Sequence, residues 1–400
     1  MGKSMSFVDT LEQHTLSLAF SCRQKLFSAA PGLDVIVTTD PVHVGYLTGY
    51  RSILQDAGPY AQAAIATRDR VALITGASDA AAALEELEDP SCIWRYGIFY
   101  VGATARMAGY ADMPAPGDNF FDTIVSALRS FEIRGGRVGL DTRDEKLARS
   151  IWQQFPHVAF QNGAPSFKRA RATKLPGELA LLRHASHITD KALEFIVPMI
   201  RAGVTELDIS SEINGAIVQG GGIPRFVVVT SGERSSRVDA YARAKRLENG
   251  DLVRMDIGCT VQGYCSDMAR TLTVGDPSDQ QAERYAALLA GEQAQIAALR
   301  PGALASDIYK IAIDTVRHGA LPDYQRSHCG HGIGLHSHEF PPIAPNSNVL
   351  LEPGMVFCVE TPYYELGWGG MMVEDTAIIT DDGHELLTHS TRELCQDRVK

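Results

Sequence analysis

The most constraining feature of the sequence is a pair of acidic residues inside two adjacent strand-like segments. Residues 250–271, GDLVRMDIGCTVQGYCSDMART, predict strands over 252–257 and 264–271, joined by a turn at 258–263. Asp256 and Asp267 stand among apolar neighbours in these strands. Taking a carboxylate out of water is costly, and two acids facing each other repel unless one is protonated or a cation lies between them. The hairpin therefore needs a compensating charge.

A second pair of acids repeats this pattern near the C-terminus. Glu360 ends the apolar run MVFCVE, and Glu374 lies within GGMMVEDTAIIT. The segment 330–341 between the pairs, GHGIGLHSHEFP, is rich in histidine. Four core carboxylates with histidine form an oxygen-rich site suited to two divalent cations. The alternative is purely structural: Arg254 or Arg270 neutralises the first pair, and Glu360 only marks the end of a strand.

Length and charge limit the class of protein. A chain of 400 residues predicts two domains, and 45% hydrophobic with 21% charged residues is typical of a globular enzyme. The net charge of −11 argues against nucleic acid or an anionic membrane as partner. We find no apolar run long enough to span a bilayer. Seven cysteines without a CxxC motif indicate reduced thiols, and a cytoplasmic location is expected.

The order of segments predicts an α+β protein of two domains. Strands alternating with helices indicate a smaller α/β domain over residues 1–167, in which 41–52 is predicted as a turn followed by an aromatic-rich segment. The basic, polar stretch 166–176 is taken as the boundary, and the second domain, 168–400, begins with a helix opened by Pro176.

The second domain contains a weak internal repeat. Arg201-Ala-Gly203 is followed by Asp208-Ile209, and Arg300-Pro-Gly302 by Asp307-Ile308, at the same offset. Each pair is expected to start a helix that precedes one carboxylate-bearing hairpin. A duplicated helix-hairpin unit would place the two acid pairs symmetrically around one centre.

These motifs together resemble the pita-bread metallohydrolases, which include methionine aminopeptidase, prolidase, aminopeptidase P and creatinase-like enzymes. The resemblance rests on DIG and SDMART with their acids eleven apart, GHGIG and HEFP with His331 and His338 seven apart, PGMVFCVE, and VEDT. It covers residues 174–400 most strongly. The segment YLTGY at 46–50 resembles the creatinase/prolidase-type domain that precedes the catalytic one.

The resemblance implies a ligand set and a chemistry. It places five metal ligands at Asp256, Asp267, His331, Glu360 and Glu374, with Asp375 beside the last of them. Two divalent ions, Mn²⁺ in first place and Co²⁺, Zn²⁺ or Fe²⁺ as alternatives, would share an activated water that attacks a peptide or amide carbon. Glu360 is expected to take the proton of that water, and His338 to stabilise the developing oxyanion. The glycines beside His331 are expected to let a ligand approach the backbone.

One position departs from the family pattern. Relatives of the aminopeptidase P and prolidase type carry a histidine about a dozen residues before the GDLV strand, and Asp239 falls closest to that place. Either this loop has drifted, or the substrate pocket has changed, so that an acid meets a cationic group and an arginine meets a carboxylate. Asp239 and Arg237 are therefore candidate substrate residues, and His336, a pocket or structural histidine of the segment 330–341, is a further candidate.

Several functions remain open at this level. The first is a dinuclear metallopeptidase that cleaves Xaa-Pro bonds or dipeptides, with a short peptide or small molecule as substrate. The others are a hydrolase of a small non-peptide C–N bond, as in creatinase-like and ectoine-hydrolase enzymes, a dimethylsulfoniopropionate lyase, and a non-catalytic binding module. By analogy a homodimer is expected, with the aromatic segment at 94–100 either lining the site of the partner or packing in its own core.

Overall fold

A computed structural model describes residues 15–100, 108–133 and 136–395. The described residues divide into two compact units between Arg171 and Ala172, four residues after the position expected from sequence. Each unit has its own sheet. Among the described residues, the structure contains no helix that combines the length and the apolar character needed to cross a membrane.

The first unit is a mixed six-stranded sheet flanked by helices, with strand order β4-β3-β2-β1-β5-β6. Its elements are α1 Thr15–Ala29, β1 Val35–Thr38, α2 Pro41–Thr48, α3 Leu54–Ala57, β2 Ala63–Ala66, β3 Val71–Gly76, α4 Ala80–Leu87, β4 Ile93–Tyr96, α5 Ala108–Ala111, α6 Phe120–Ser130, β5 Arg137–Asp141, α7 Glu145–Gln154, β6 Ala159–Asn162 and α8 Ala164–Ala172. Trp94 and Tyr96 of β4 pack against the core between this sheet and its helices.

Two segments of this unit differ from the sequence prediction. Residues 41–48 form helix α2 instead of a turn, because Asp40 caps the backbone N–H groups of Val42 and His43 and Pro41 occupies the first turn. The stretch interpreted as a polar boundary lies largely in helix α8. The ring of Phe167 on that helix is fully buried against His43, at 3.8 Å between ring centroids, so tertiary packing overrides the polar composition.

The second unit has the duplicated arrangement of the pita-bread fold. Two helices precede the strands of each half. The elements are α9 Pro176–Ile196, α10 Glu206–Gln219, β7 Ile223–Ser231, β8 Leu252–Val261, β9 Tyr264–Cys265, β10 Met268–Thr273, α11 Asp279–Ala298, α12 Ala305–His318, β11 Gly330–Gly332, β12 Glu339–Pro342, β13 Val356–Glu360, β14 Tyr363–Glu365, β15 Gly369–Met371, β16 Glu374–Ile379 and β17 His384–Leu386.

The two halves join through antiparallel strands β10 and β16. The main sheet has the order β12-β11-β13-β16-β10-β8-β7, and Ala269 of β10 is the partner of Glu374 of β16. Strand β8 continues to Val261, four residues beyond its expected end, because its extension pairs with β7 and β9. This junction brings the acids of both halves to the same part of the sheet.

Candidate metal centre

Each predicted ligand comes from a different place on the main sheet. Asp256 lies in β8, Asp267 directly precedes β10, His331 is the central residue of β11, Glu360 ends β13 and Glu374 begins β16. All five side chains line one cavity of about 610 Å³. His338 and Asp239 line it as well, whereas Arg237 and His336 do not.

Close approach between strands requires glycine on both sides of His331. Gly330 has a φ of +153°, and a Cβ atom there would lie 2.3 Å from the carbonyl oxygen of Cys358. A Cβ on Gly332 would lie 2.8 Å from the carbonyl oxygen of Phe340. The glycines therefore let β11 fit between β13 and β12. The sequence interpretation, in contrast, had assigned them to the close approach of a ligand.

The innermost group of donors surrounds the imidazole of His331. Its Nε2 lies 3.9 Å from Asp267 Oδ2 and 3.8 Å from Glu374 Oε1. Its Nδ1 faces the carbonyl oxygen of Gly332 at 3.1 Å, so Nδ1–H donates and Nε2 keeps its lone pair toward the acids. Glu374 is 1% exposed, and among the described residues its Oε1 has no hydrogen-bond partner. A buried oxygen without a donor is what a cation would satisfy.

Glu360 has a different set of neighbours. Its Oε1 lies 3.1 Å from His328 Nε2, and its Oε2 lies 3.5 Å from Arg326 Nη2. Burial alone would raise the pKa of Glu360. The hydrogen bond from His328 and the electrostatic influence of His331 and Arg326 outweigh the effect of burial, and the pKa of Glu360 is lowered. Glu360 therefore carries the negative charge while the other acids compete for protons.

The remaining carboxyl groups destabilise one another when ionised. Burial, then the charges of Asp256 and Glu360, raise the pKa of Asp267 well above its ordinary value. Burial and the charges of Asp267 and Glu360 do the same for Glu374. Burial raises the pKa of Asp256 to about 7, although Arg254 partly opposes this shift. Burial and the nearby His338 lower the pKa of His331 to about 4, so its imidazole is neutral at pH 7.

Of the two arginines proposed as structural counter-charges, Arg254 forms an ion pair with Asp256, whereas the side chain of Arg270 pairs with Asp375. Arg270 Nη2 donates to Asp375 Oδ1 at 2.7 Å, so Asp375 faces away from the cavity. Arg254 donates to the carbonyl oxygens of Ser235, Arg237 and Val238, and its Nη1 is 3.6 Å from Asp256 Oδ2. Among the described residues no arginine pairs with the carboxylate of Asp267 or of Glu374, although Arg270 donates to the backbone carbonyl oxygen of Glu374, and this fits a site built for cations.

Several residues around the centre carried no role in the sequence interpretation. Arg326, Arg225 and Tyr364 line the cavity, and the thiol of Cys358 lies among the ligand atoms of Asp267, His331 and Glu374. Arg326 and His328 sit in the loop that leads into β11, only a few residues before His331. Their closeness in sequence to His331 could have indicated that they lie near the centre. Their contact with Glu360, however, depends on the pairing of β11 with β13.

Metal binding is expected to weaken steeply as the pH falls below 7. The raised pKa values of Asp256, Asp267 and Glu374 mean that an incoming ion displaces protons from these carboxyl groups. With two protons displaced, the apparent affinity should fall roughly 100-fold per pH unit. Calorimetric Co²⁺ titrations at pH 6, 7 and 8, in buffers of different ionisation enthalpy, count those protons. An affinity independent of pH would contradict the assignment.

The fold and the donor set define a metal-dependent hydrolase of the pita-bread class. The profile of metallopeptidase family M24 matches residues 180–381. A Xaa-Pro dipeptidase of Pyrococcus furiosus is 34% identical over 278 residues, covering 68% of this chain and 78% of that protein. A Xaa-Pro dipeptidase of Lactobacillus helveticus is 28% identical over 365 residues, covering 90% of this chain and 94% of that protein.

A solved structure agrees with the same class over nearly the whole chain. The Xaa-Pro dipeptidase of Bacillus anthracis superposes with a TM-score of 0.77 at 27% identity, covering 94% of this chain and 99% of that one. The chain belongs to metallopeptidase family M24. It is a metal-dependent peptidase that binds divalent metal, as the sequence motifs predicted.

Proposed function

We propose that the protein is a dinuclear Xaa-Pro dipeptidase that uses Mn²⁺ and cleaves short peptides. The observation that carries this proposal is the convergence of five candidate ligand side chains from both halves of the sheet on one cavity, where Glu374 Oε1 has no hydrogen-bond partner within the described part of the chain. The names of the relatives support the choice of Xaa-Pro bonds. We further propose a cytoplasmic homodimer in which residues 1–167 form the creatinase/prolidase-type domain.

The ligand set we propose is Asp256, Asp267, His331, Glu360 and Glu374. When bound, the ions supply Lewis acidity and a water molecule activated at neutral pH. Hydrogen bonds from His328 and the charge of Arg326 hold Glu360 in its ionised form, ready to accept a proton from that water and pass it to the leaving nitrogen.

We assign His338 to the oxygen of the scissile carbonyl. Its ring stacks on that of His331, with centroids 3.7 Å apart, and this contact fixes the ring plane. Burial lowers the pKa of His338, so a neutral imidazole faces the substrate and can donate a hydrogen bond to the developing oxyanion. The residue is part of the cavity wall and is reachable from it.

The test is an assay of protein loaded with Mn²⁺, Co²⁺ or Zn²⁺ against Xaa-Pro dipeptides, dipeptides without proline, and Xaa-Pro-amides. Release of free proline with kcat near 1–10³ s⁻¹, typical of enzymes, is the expected result. Creatine, ectoine and dimethylsulfoniopropionate are assayed in parallel. Turnover of any of these three with no cleavage of peptides would overturn the peptidase assignment, and inductively coupled plasma analysis gives the number of bound ions.

The second candidate function, hydrolysis of a small non-peptide C–N bond, is favoured by Asp239. Its exposed carboxylate lines the cavity and adds a negative charge near Asp256 and His338. Such a group selects a cationic substrate. Arg225 and Arg326 on the same cavity wall suit a substrate that also carries a carboxylate.

Asp239→Asn is expected to raise KM for dipeptides with a cationic side chain by about twofold to fivefold, the range of an exposed ion pair. Dipeptides with a neutral side chain should be affected less, and kcat should change little. Steady-state kinetics on Lys-Pro and Ala-Pro measure the difference. Glu233→Gln, an exposed acid of the same loop region outside the cavity wall, is the matched control. Equal changes for both substrates would remove Asp239 from substrate selection.

A further inference from the structure

We propose that the sulfur of Cys358 is a ligand of the metal ion held by Asp267, His331 and Glu374. The inference rests on the metal centre proposed above and adds to it a donor that the five-ligand set does not contain. It changes which ions the centre prefers, because the innermost donor set then mixes nitrogen, oxygen and sulfur.

Strand geometry directs Cys358 toward the centre. Successive side chains of a strand point to opposite faces, so Cys358 and Glu360 of β13 share the face that carries the acids. Cys358 is the direct partner of His331 on β11 and of Thr376 on β16. The side chain is therefore held between the strands that supply the histidine and Glu374.

The distances fit a common ion. One ligand atom each from Asp267, His331, Cys358 and Glu374 lies within 4.8 Å of every other. In a tetrahedral site with metal–ligand bonds of about 2.0–2.3 Å, neighbouring ligand atoms are about 3.3–3.8 Å apart. A separation at the 4.8 Å limit would need to contract by about 1.0–1.5 Å, which side-chain rotation can supply.

An independent observation points to an ion at the same place. Glu374 Oε1 lies 3.8 Å from His331 Nε2, is fully enclosed, and has no hydrogen-bond partner among the described residues. Cys358 Sγ lies 3.4 Å from Thr376 Oγ1 and is also a hydrogen-bond partner of the Glu374 carboxyl group, so the sulfur already faces this group of ligand atoms. On binding, the thiol would release its proton to solvent and the sulfur would donate a lone pair to the ion.

The consequence is a shift in metal preference. A thiolate is a soft ligand that favours Zn²⁺ and Co²⁺ over Mn²⁺, whereas an all-carboxylate and imidazole set discriminates less. We therefore infer that one position of this centre prefers Co²⁺ or Zn²⁺ and that the preference is lost when the sulfur is removed. Asp256 and Glu360 would supply oxygen ligands to a second ion.

The test is a Co²⁺ titration of the reduced, full-length, metal-stripped protein without oxygen. We expect an intense near-ultraviolet sulfur-to-cobalt charge-transfer band in the wild type and its loss in Cys358→Ser. The visible d–d bands of bound Co²⁺ should remain in both. Cys329→Ser is the matched control, because Cys329 is buried, lies two residues before His331 and is not among the four grouped ligand residues. It should keep the near-ultraviolet band.

The outcomes separate this inference from the proposed centre. Stoichiometric Co²⁺ in the wild type without the charge-transfer band overturns the sulfur ligand and leaves the centre standing. Absence of any bound Co²⁺ overturns both. A band that persists in Cys358→Ser also overturns the inference. A competition titration provides a second measurement: Cys358→Ser should lower the ratio of Co²⁺ to Mn²⁺ affinity by about tenfold or more.

Discussion

Asp267→Asn is expected to abolish peptidase activity while raising the melting temperature of the metal-free protein. Asp267 is 3% exposed, and Asp256 and Glu360 add repulsion to the cost of its burial. An amide removes that repulsion but cannot replace the charge that balances a cation. Loss of about 4 kcal/mol of electrostatic transition-state stabilisation corresponds to about 10³-fold in kcat/KM.

Differential scanning calorimetry with and without Co²⁺ measures both parts of this prediction. The wild type should gain stability on adding Co²⁺, and Asp267→Asn should not. For a unit of this size, each kcal/mol added to the free energy of unfolding raises the melting temperature by about 2–4 °C. Asp190→Asn is the matched control: Asp190 is 4% exposed and accepts hydrogen bonds from the backbone N–H groups of His389 and Ser390. That variant should melt earlier and still bind metal. A less stable metal-free Asp267→Asn would refute the repulsion argument.

The same electrostatics give the metal-free protein an unusual pH dependence. The folded-state pKa values of Asp256, Asp267 and Glu374 lie above those of unfolded carboxyl groups, so the folded state binds more protons and stability falls as pH rises above about 4. His331 and His338, with lowered pKa values, oppose this below about 6.5. The effect of the three carboxyl groups on stability is larger than that of the two imidazoles, one of which is partly exposed. In the Asp267→Asn variant, the stability of the metal-free protein should therefore fall less steeply with rising pH.

Glu360→Gln is expected to lower kcat by about 10²- to 10⁴-fold with a small change in KM, the loss typical of a general base. The amide cannot accept the proton of the attacking water, and it also weakens one metal bond. Assays therefore use saturating Mn²⁺, and bound metal is measured in the same samples. In a plot of kcat/KM against pH, the acidic limb should change shape, because Glu360 is the acid whose pKa is lowered by His328, His331 and Arg326.

The control for this variant is Glu365→Gln. Glu365 follows five residues later in β14, pairs with Arg284 at 2.7 Å and does not line the metal cavity. It should retain kcat and metal content. If Glu360→Gln kept more than about a tenth of the wild-type kcat at full metal occupancy, a role as proton acceptor would be excluded.

Part of this centre could be predicted because its signals are local. A carboxylate inside an apolar strand is conspicuous wherever it occurs, since burial without compensation is unfavourable, and this pattern singled out Asp256, Asp267, Glu360 and Glu374. The helix starts after Arg201-Ala-Gly203 and Arg300-Pro-Gly302 are likewise local and were confirmed as α10 and α12. Helix α2 was missed although Asp40 and Pro41 form a standard helix start.

The sequence by itself determined the class of the protein, its two-part organisation and the acids that we propose as metal ligands, because each depends on residues close together in the chain. Only the tertiary structure decided how these groups meet. The pairing of β10 with β16 joins the two halves, and the pairing of β11 with β13 brings His331 beside Cys358. Arg270 binds Asp375, and His328 and Arg326 reach Glu360. Those contacts join residues from different strands and loops, and no local periodicity encodes which strand lies beside which.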